Sequence, residues 1–141
     1  MKKKQKNGKT TIRTIARQKA ESPNRIYTDG SGSRPDGKGS AFAWACPQTG
    51  EKKVVREDGL TNNQAEYRGI IAALEECQAG SHVQILTDSQ NTCFQLKGWH
   101  RVKDPHLAKL YERVCTLVQK KKMTVEFEWV PRRENLAGKL L

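Results

Sequence analysis

Three carboxylates, each inside its own polar signature, constrain this chain more than any other feature: Thr28-Asp29-Gly30-Ser31, Thr61-Asn62-Asn63-Gln64-Ala65-Glu66 and Thr87-Asp88-Ser89-Gln90. The first and third stand at or near the ends of apolar runs, and the second near the start of an amphipathic one. A fold that brings them together must place two strand ends and one helix start at the same edge of a sheet.

The local patterns supply those elements. Arg25–Thr28 reads as a strand, so Asp29 is expected to close it, and Gly30, Gly32, Pro35, Gly37 and Gly39 mark a loop. Ser40–Cys46 alternates Phe42, Trp44 and Cys46 with alanines; after the Pro47–Gly50 turn, Lys52–Glu57 returns antiparallel with Val54 and Val55 expected inside. Thr61 and Gln64 have capping-box spacing, which predicts a helix to about Cys77. Ile70, Ala73, Leu74 and Cys77 follow Glu66 at helical spacing, so Glu66 shares the core-facing stripe. Gly80 precedes a strand over His82–Thr87, which hands over to Asp88 and a short helix. Asp104-Pro105 opens a helix carrying Leu107, Leu110, Tyr111, Val114, Leu117 and Val118 and ending in Lys120, Lys121 and Lys122. Met123, Val125, Phe127 and Trp129 then alternate with Thr124, Glu126 and Glu128 in a last strand, with both glutamates expected in solvent. Glu134–Leu141 is expected to be a short helix. The order implies an α/β fold with a five-stranded mixed sheet: a three-strand antiparallel meander plus two further strands, flanked by helices.

A chain of 141 residues suits one domain. No apolar run is long enough for a bilayer and the basic start lacks a secretory apolar stretch, so a cytoplasmic, membrane-free monomer is expected. Cys46, Cys77, Cys93 and Cys115 have no paired spacing and are expected as core thiols; His82, His100 and His106 share no ligand spacing. The net charge of +11 is uneven. Residues 1–24 hold eight Lys or Arg against Glu21, or +7, leaving +4 for residues 25–141. A basic arm, 1–24, is therefore expected to precede the folded domain, 25–141. It has too few apolar residues to fold alone, and a phosphate backbone is its natural partner, with a solubilising tail as the alternative.

Clustered carboxylates repel at neutral pH unless hard cations intervene, and Mg²⁺ prefers such oxygen ligands. Two ions about 4 Å apart support in-line phosphodiester hydrolysis without a protein nucleophile. In this order, on strand, helix start and strand, separated by 37 and 22 residues, the three motifs resemble type 1 ribonuclease H from about Arg25 onward. The resemblance implies the ribonuclease H fold and Mg²⁺- or Mn²⁺-dependent endonucleolytic cleavage of the RNA strand of an RNA–DNA hybrid, leaving 5′-phosphate and 3′-hydroxyl ends. It carries Asp29, Glu66 and Asp88 over as metal-binding catalytic residues. Gly30, Ser31, Thr61, Asn62, Asn63 and Gln90 are carried over as substrate contacts, suited to sensing a 2′-hydroxyl.

The chain departs from that family at its C-terminus. A terminal Ala-Asp-x-Leu helix usually carries a fourth acid, whereas here Ala137 is followed by Gly138. Asn135, one helical turn earlier, is the preferred neutral substitute as metal ligand or water-orienting group, ahead of Glu134; helix capping is its other reading. A neutral group there implies weaker binding of a second metal and a need for more Mg²⁺ or for Mn²⁺. The preceding loop lacks the histidine of some members, and Arg132 or Arg133 could hold phosphate instead. The Lys97–Asp104 connection, with Trp99, His100, Arg101 and Lys103, is a reduced version of a basic protrusion. The missing acid also leaves open a non-cleaving, hybrid-binding module.

Overall fold

The structure is a computed structural model that describes residues 23–141. Strands β1 (Asn24–Ser31), β2 (Ala41–Cys46), β3 (Glu51–Arg56), β4 (His82–Thr87) and β5 (Thr124–Trp129) form one sheet in the order β3-β2-β1-β4-β5. The meander β1–β2–β3 is antiparallel, and β4 and β5 join parallel to β1. Helices α1 (Asn62–Glu76), α2 (Gln90–Leu96) and α3 (Pro105–Lys120) complete the layers, followed by 3-10 turns at Arg132–Glu134 and Gly138–Leu140. No helix among the described residues is long and apolar enough to cross a membrane. The arm expected at 1–24 falls outside the described residues except for its last two, of which Asn24 opens β1.

The main core lies between one sheet face and helices α1 and α3. Ile26, Tyr67, Ile70, Leu74, Val83 and Ile85 are fully buried there, and removing such side chains from water is the main favourable term in folding. A smaller cluster on the opposite face joins Tyr27, Ala43 and Leu86 to Val130, Ala137 and Leu140, so the C-terminal segment packs across the strands that carry the acids. Helix starts follow the sequence closely. Thr61 Oγ1 accepts from the Gln64 N–H at 3.1 Å while Gln64 Oε1 accepts from the Thr61 N–H at 2.9 Å; Asp104 Oδ1 caps α3 by accepting from His106 and Leu107 at 2.8 and 3.0 Å.

Several expectations are corrected. Asp29 does not close its strand: β1 continues to Ser31 and Asp29 pairs with Ala43, because β2 extends the antiparallel ladder through Gly30 and Ser31. Only the parallel pairing with β4 stops before it, at Thr28 opposite Thr87. The segment 134–141 is not a regular helix but part of two 3-10 turns separated by Asn135–Ala137, because Asn135 uses its side chain on backbone groups. Val54 is exposed, since β3 is an edge strand with little packed over it. Trp129 is also exposed, and Cys115 faces solvent while the other three thiols are buried. Glu126 and Glu128 are half-exposed as expected but also meet His82 at 2.9 Å and Lys97 at 3.6 Å.

Candidate active site

Close backbone approach at two glycines brings Glu66 to the sheet. A Cβ on Gly30 would lie 2.2 Å from the Ala65 carbonyl carbon and 2.4 Å from the Glu66 nitrogen, and a Cβ on Gly69 would lie 2.9 Å from the Asp29 carbonyl oxygen. Only hydrogen at these positions lets the first turns of α1 rest directly on β1. The Gly32 N–H donates to Asn62 Oδ1 at 2.7 Å and ties the end of β1 to the helix start. Asp88 arrives from the other side, just past β4, where the Ser89 N–H donates to Thr87 Oγ1 at 3.1 Å and Ser89 Oγ accepts from the Thr92 N–H to cap α2.

The three acids meet as the sequence predicts: one carboxylate oxygen from each of Asp29, Glu66 and Asp88 lies within 4.8 Å of the others. Glu66 is buried, and burial together with the charges of Asp29 and Asp88 pushes its carboxyl up to about 9. Asp29 is also raised, by burial first and then by Asp88, although the Gly30 N–H donates to its Oδ1 at 2.9 Å. Among the described residues, Glu66 Oε1 and Asp88 Oδ2 find no hydrogen-bond partner although both are buried. Buried carboxylate oxygens left unpaired beside like charges are costly, and a divalent cation would satisfy them. The donor set is all oxygen, which suits Mg²⁺ or Mn²⁺.

The acids floor an open cleft of about 680 Å³ whose walls include Gly30, Ser31, Asn62, Asn63, Arg132 and Asn135 from the sequence prediction. Thr61 and Gln90 are not in its walls: Thr61 is the cap of α1, and Gln90 begins α2 with its surface outward. Ser89, Arg133, Gly138 and Lys139 also line the cleft. Arg132 is 91% exposed, with Nε 3.9 Å from Asp88 Oδ2. The arginine, whose guanidinium stays charged at neutral pH, thus stands at the rim of the acidic floor.

Asn135 shows the capping role that the sequence offered as its other reading. It is fully buried; its Nδ2 donates to the Thr28 carbonyl at 2.9 Å and its Oδ1 accepts from the Ala137 N–H at 3.0 Å. The carboxamide bonds main chain at both ends, as a local cap and a cross-link to β1, and also lines the cleft that the three carboxylates floor. Glu134, the other substitute considered, is exposed and is not in the cleft wall. Gly138 faces the cluster directly: a Cβ there would stand 2.8 Å from Asp29 Oδ2. One contact was invisible in the sequence pattern. Trp129 donates its indole N–H to the Asp88 carbonyl at 3.1 Å, whereas strand alternation alone had turned that ring toward the core.

A family model described as RNase H matches residues 21–138. A bifunctional protein of Mycobacterium tuberculosis is 39% identical over 77 residues, covering 53% of this chain and 21% of that protein. The chain spans about a fifth of the length of such mycobacterial relatives. Ribonuclease HI of Synechocystis sp. is 32% identical over 130 residues, covering 79% of this chain and 78% of the relative. Among solved structures, LC11-RNase H1 in complex with an RNA/DNA hybrid matches with a TM-score of 0.71 at 25% identity, covering 83% of this chain and 91% of that one.

Proposed function

The chain belongs to the RNase H family, and from that premise we propose that it is a divalent-metal-dependent endonuclease that hydrolyses the RNA strand of RNA–DNA hybrids, leaving 5′-phosphate and 3′-hydroxyl ends. The observation that carries this reading is the convergence of Asp29, Glu66 and Asp88, with two of their buried oxygens lacking a hydrogen-bond partner among the described residues. These carboxylates would hold Mg²⁺ or Mn²⁺. Bound divalent ions supply an acidified water and offset the charge gathering on the phosphate.

The remaining wall groups fit the handling of a nucleic-acid strand. Arg132 places a positive charge at the rim, where it can take a phosphate oxygen as the backbone enters. Asn62, Asn63, Gly30 and Ser31 present neutral polar groups and main chain beside the acids. Groups of this kind can accept or donate to a 2′-hydroxyl on one strand without reading base identity. The solved hybrid complex of LC11-RNase H1 supports the same substrate class. The basic residues of 1–24 would add non-specific attraction to the phosphate backbone.

The test is cleavage of an end-labelled hybrid across Mg²⁺ and Mn²⁺ titrations, with RNA duplex and DNA duplex in parallel. Metal-dependent cutting confined to the hybrid's RNA strand supports the enzyme. Tight hybrid binding with no cutting at any metal concentration overturns it and favours a hybrid-binding module, the reading motivated by glycine at 138.

A further inference from the structure

The ladder joining the two acid-bearing strands stops one residue short of both acids. Parallel pairing of β1 with β4 ends at Thr28 opposite Thr87. Asp29 keeps its partner Ala43 on the β2 side, but toward Asp88 no further β1–β4 pair follows. The negative charges of Asp29 and Asp88 repel one another across this junction, where one carboxylate oxygen of each lies within 4.8 Å of the other. A site that is to grip a small cation must therefore be held at this junction by something other than the β1–β4 ladder.

The C-terminal segment 129–138 crosses the junction and touches it at three points. The Trp129 indole N–H meets the Asp88 carbonyl at 3.1 Å. Asn135 Nδ2 meets the carbonyl of Thr28, the residue before Asp29, at 2.9 Å, while its Oδ1 is taken by the Ala137 N–H. Gly138 stands against the Asp29 carboxylate: a Cβ there would lie 2.8 Å from Asp29 Oδ2, so a side chain at 138 would have to displace that carboxylate end. One hydrogen bond thus lands on the main chain of each acid-bearing strand, and both come from the same segment.

We propose that this segment is a clamp, in which Trp129 and Asn135 are positioning residues that hold the main chain of Asp88 and of Thr28–Asp29 at the spacing a divalent cation requires. The clamp rests on the assignment of the three acids as metal ligands. It gives Asn135 a mechanical role instead of a ligand role. The segment is seated by Val130, Ala137 and Leu140 packing on Tyr27, Ala43 and Leu86, and Gly138 leaves the Asp29 carboxylate undisplaced.

The roles differ in what a carboxylate at 135 would do. Asn135→Asp keeps the shape and adds an anionic oxygen, so a ligand role predicts tighter Mg²⁺ binding. The clamp predicts weaker binding, because the donor to the Thr28 carbonyl is replaced by an oxygen that repels it. Trp129→Phe keeps most of the ring and removes only the N–H; Trp129 is 41% exposed, so this variant tests the clamp even where Asn135→Asp folds poorly. Mg²⁺ affinity is measured calorimetrically at a temperature where each variant is folded, alongside the metal-free melting temperature and hybrid cleavage.

The expected result is a Mg²⁺ dissociation constant raised about 5- to 10-fold in each variant, the effect of one lost hydrogen bond. Cleavage by Trp129→Phe is expected to recover at saturating Mg²⁺. A lower metal-free melting temperature with unchanged Mg²⁺ affinity would mean ordinary structural bonds and overturn the clamp, as would tighter Mg²⁺ binding in Asn135→Asp. Absence of Mg²⁺ binding in the unmutated chain overturns the ligand assignment and the clamp with it; normal binding there with unaltered variants overturns the clamp alone.

Discussion

Glu66→Gln should stabilise the metal-free protein while removing its capacity to use metal. Glu66 is 8% exposed and its carboxyl is pushed up to about 9 by burial and by Asp29 and Asp88. The ordinary value for the unfolded chain is 4.5. Between those two values the folded state holds a proton that the unfolded state has released, so stability falls as pH rises from 4.5 and the loss is complete only above 9. At pH 7 the loss amounts to about 3 kcal/mol, at 1.36 kcal/mol for each tenfold step in proton activity. Glutamine keeps the shape, carries no charge and can donate to Asp29, so the variant should recover about 2–3 kcal/mol at pH 7, a gain of the kind seen when functional strain is removed. Urea unfolding in a chelator at pH 5, 7 and 8.5 measures this: the unmutated chain should lose stability with pH more steeply than the variant, with the gap widening upward. Added Mg²⁺ should then raise the unmutated chain's stability far more than the variant's. Equal stabilities and equal pH slopes for the two proteins would refute the argument that burial and like charge dominate at Glu66.

Gly30→Ala should destabilise by about 3 kcal/mol or more, since its Cβ would fall 2.2 Å from the Ala65 carbonyl carbon and push α1 off the sheet; urea unfolding followed by circular dichroism checks it. Lys121→Met should cost about 1–2 kcal/mol by the same assay, because Lys121 Nζ donates to the carbonyls of Leu74, Glu75 and Cys77 at 3.0, 2.8 and 2.8 Å where α1 ends. Gly138→Asp should lower the metal-free melting temperature and enlarge the rise on adding Mg²⁺, since it displaces the Asp29 carboxylate and adds a further negative charge beside Asp29 and Asp88 that a bound cation would offset. Deleting residues 2–20 should reduce the slope of hybrid affinity against salt concentration, because eight Lys or Arg go with the segment; an unchanged slope would remove the arm from the binding surface.

The elements that the sequence displays well are those decided by local chemistry. A capping box needs only Thr61 and Gln64 three apart, and the α3 start needs only Asp104 before Pro105, so both appear as read. The burial of Glu66 was legible because helical spacing puts it in register with Ile70, Ala73 and Leu74. Errors cluster where the neighbour comes from elsewhere in the chain. Nothing between residues 25 and 29 announces that β2 will carry β1 on to Ser31. Val54 belongs to a strand-like run, but its strand falls at the sheet edge and stays open to solvent.

The sequence by itself determined the three carboxylates, their order, the helix start that carries one of them and the strands that carry the others, because each follows from residue type at short spacing. Tertiary structure alone decided what the C-terminal residues do. Asn135 and Thr28 are 107 residues apart, and Trp129 and Asp88 are 41 apart. A carboxamide or an indole has many possible partners, and only the packing of the last segment across β1 and β4 selects these two carbonyls. Gly138, as a letter, is a missing acid. In space it is a close neighbour of the Asp29 carboxylate, in a segment that packs across β1 and β4.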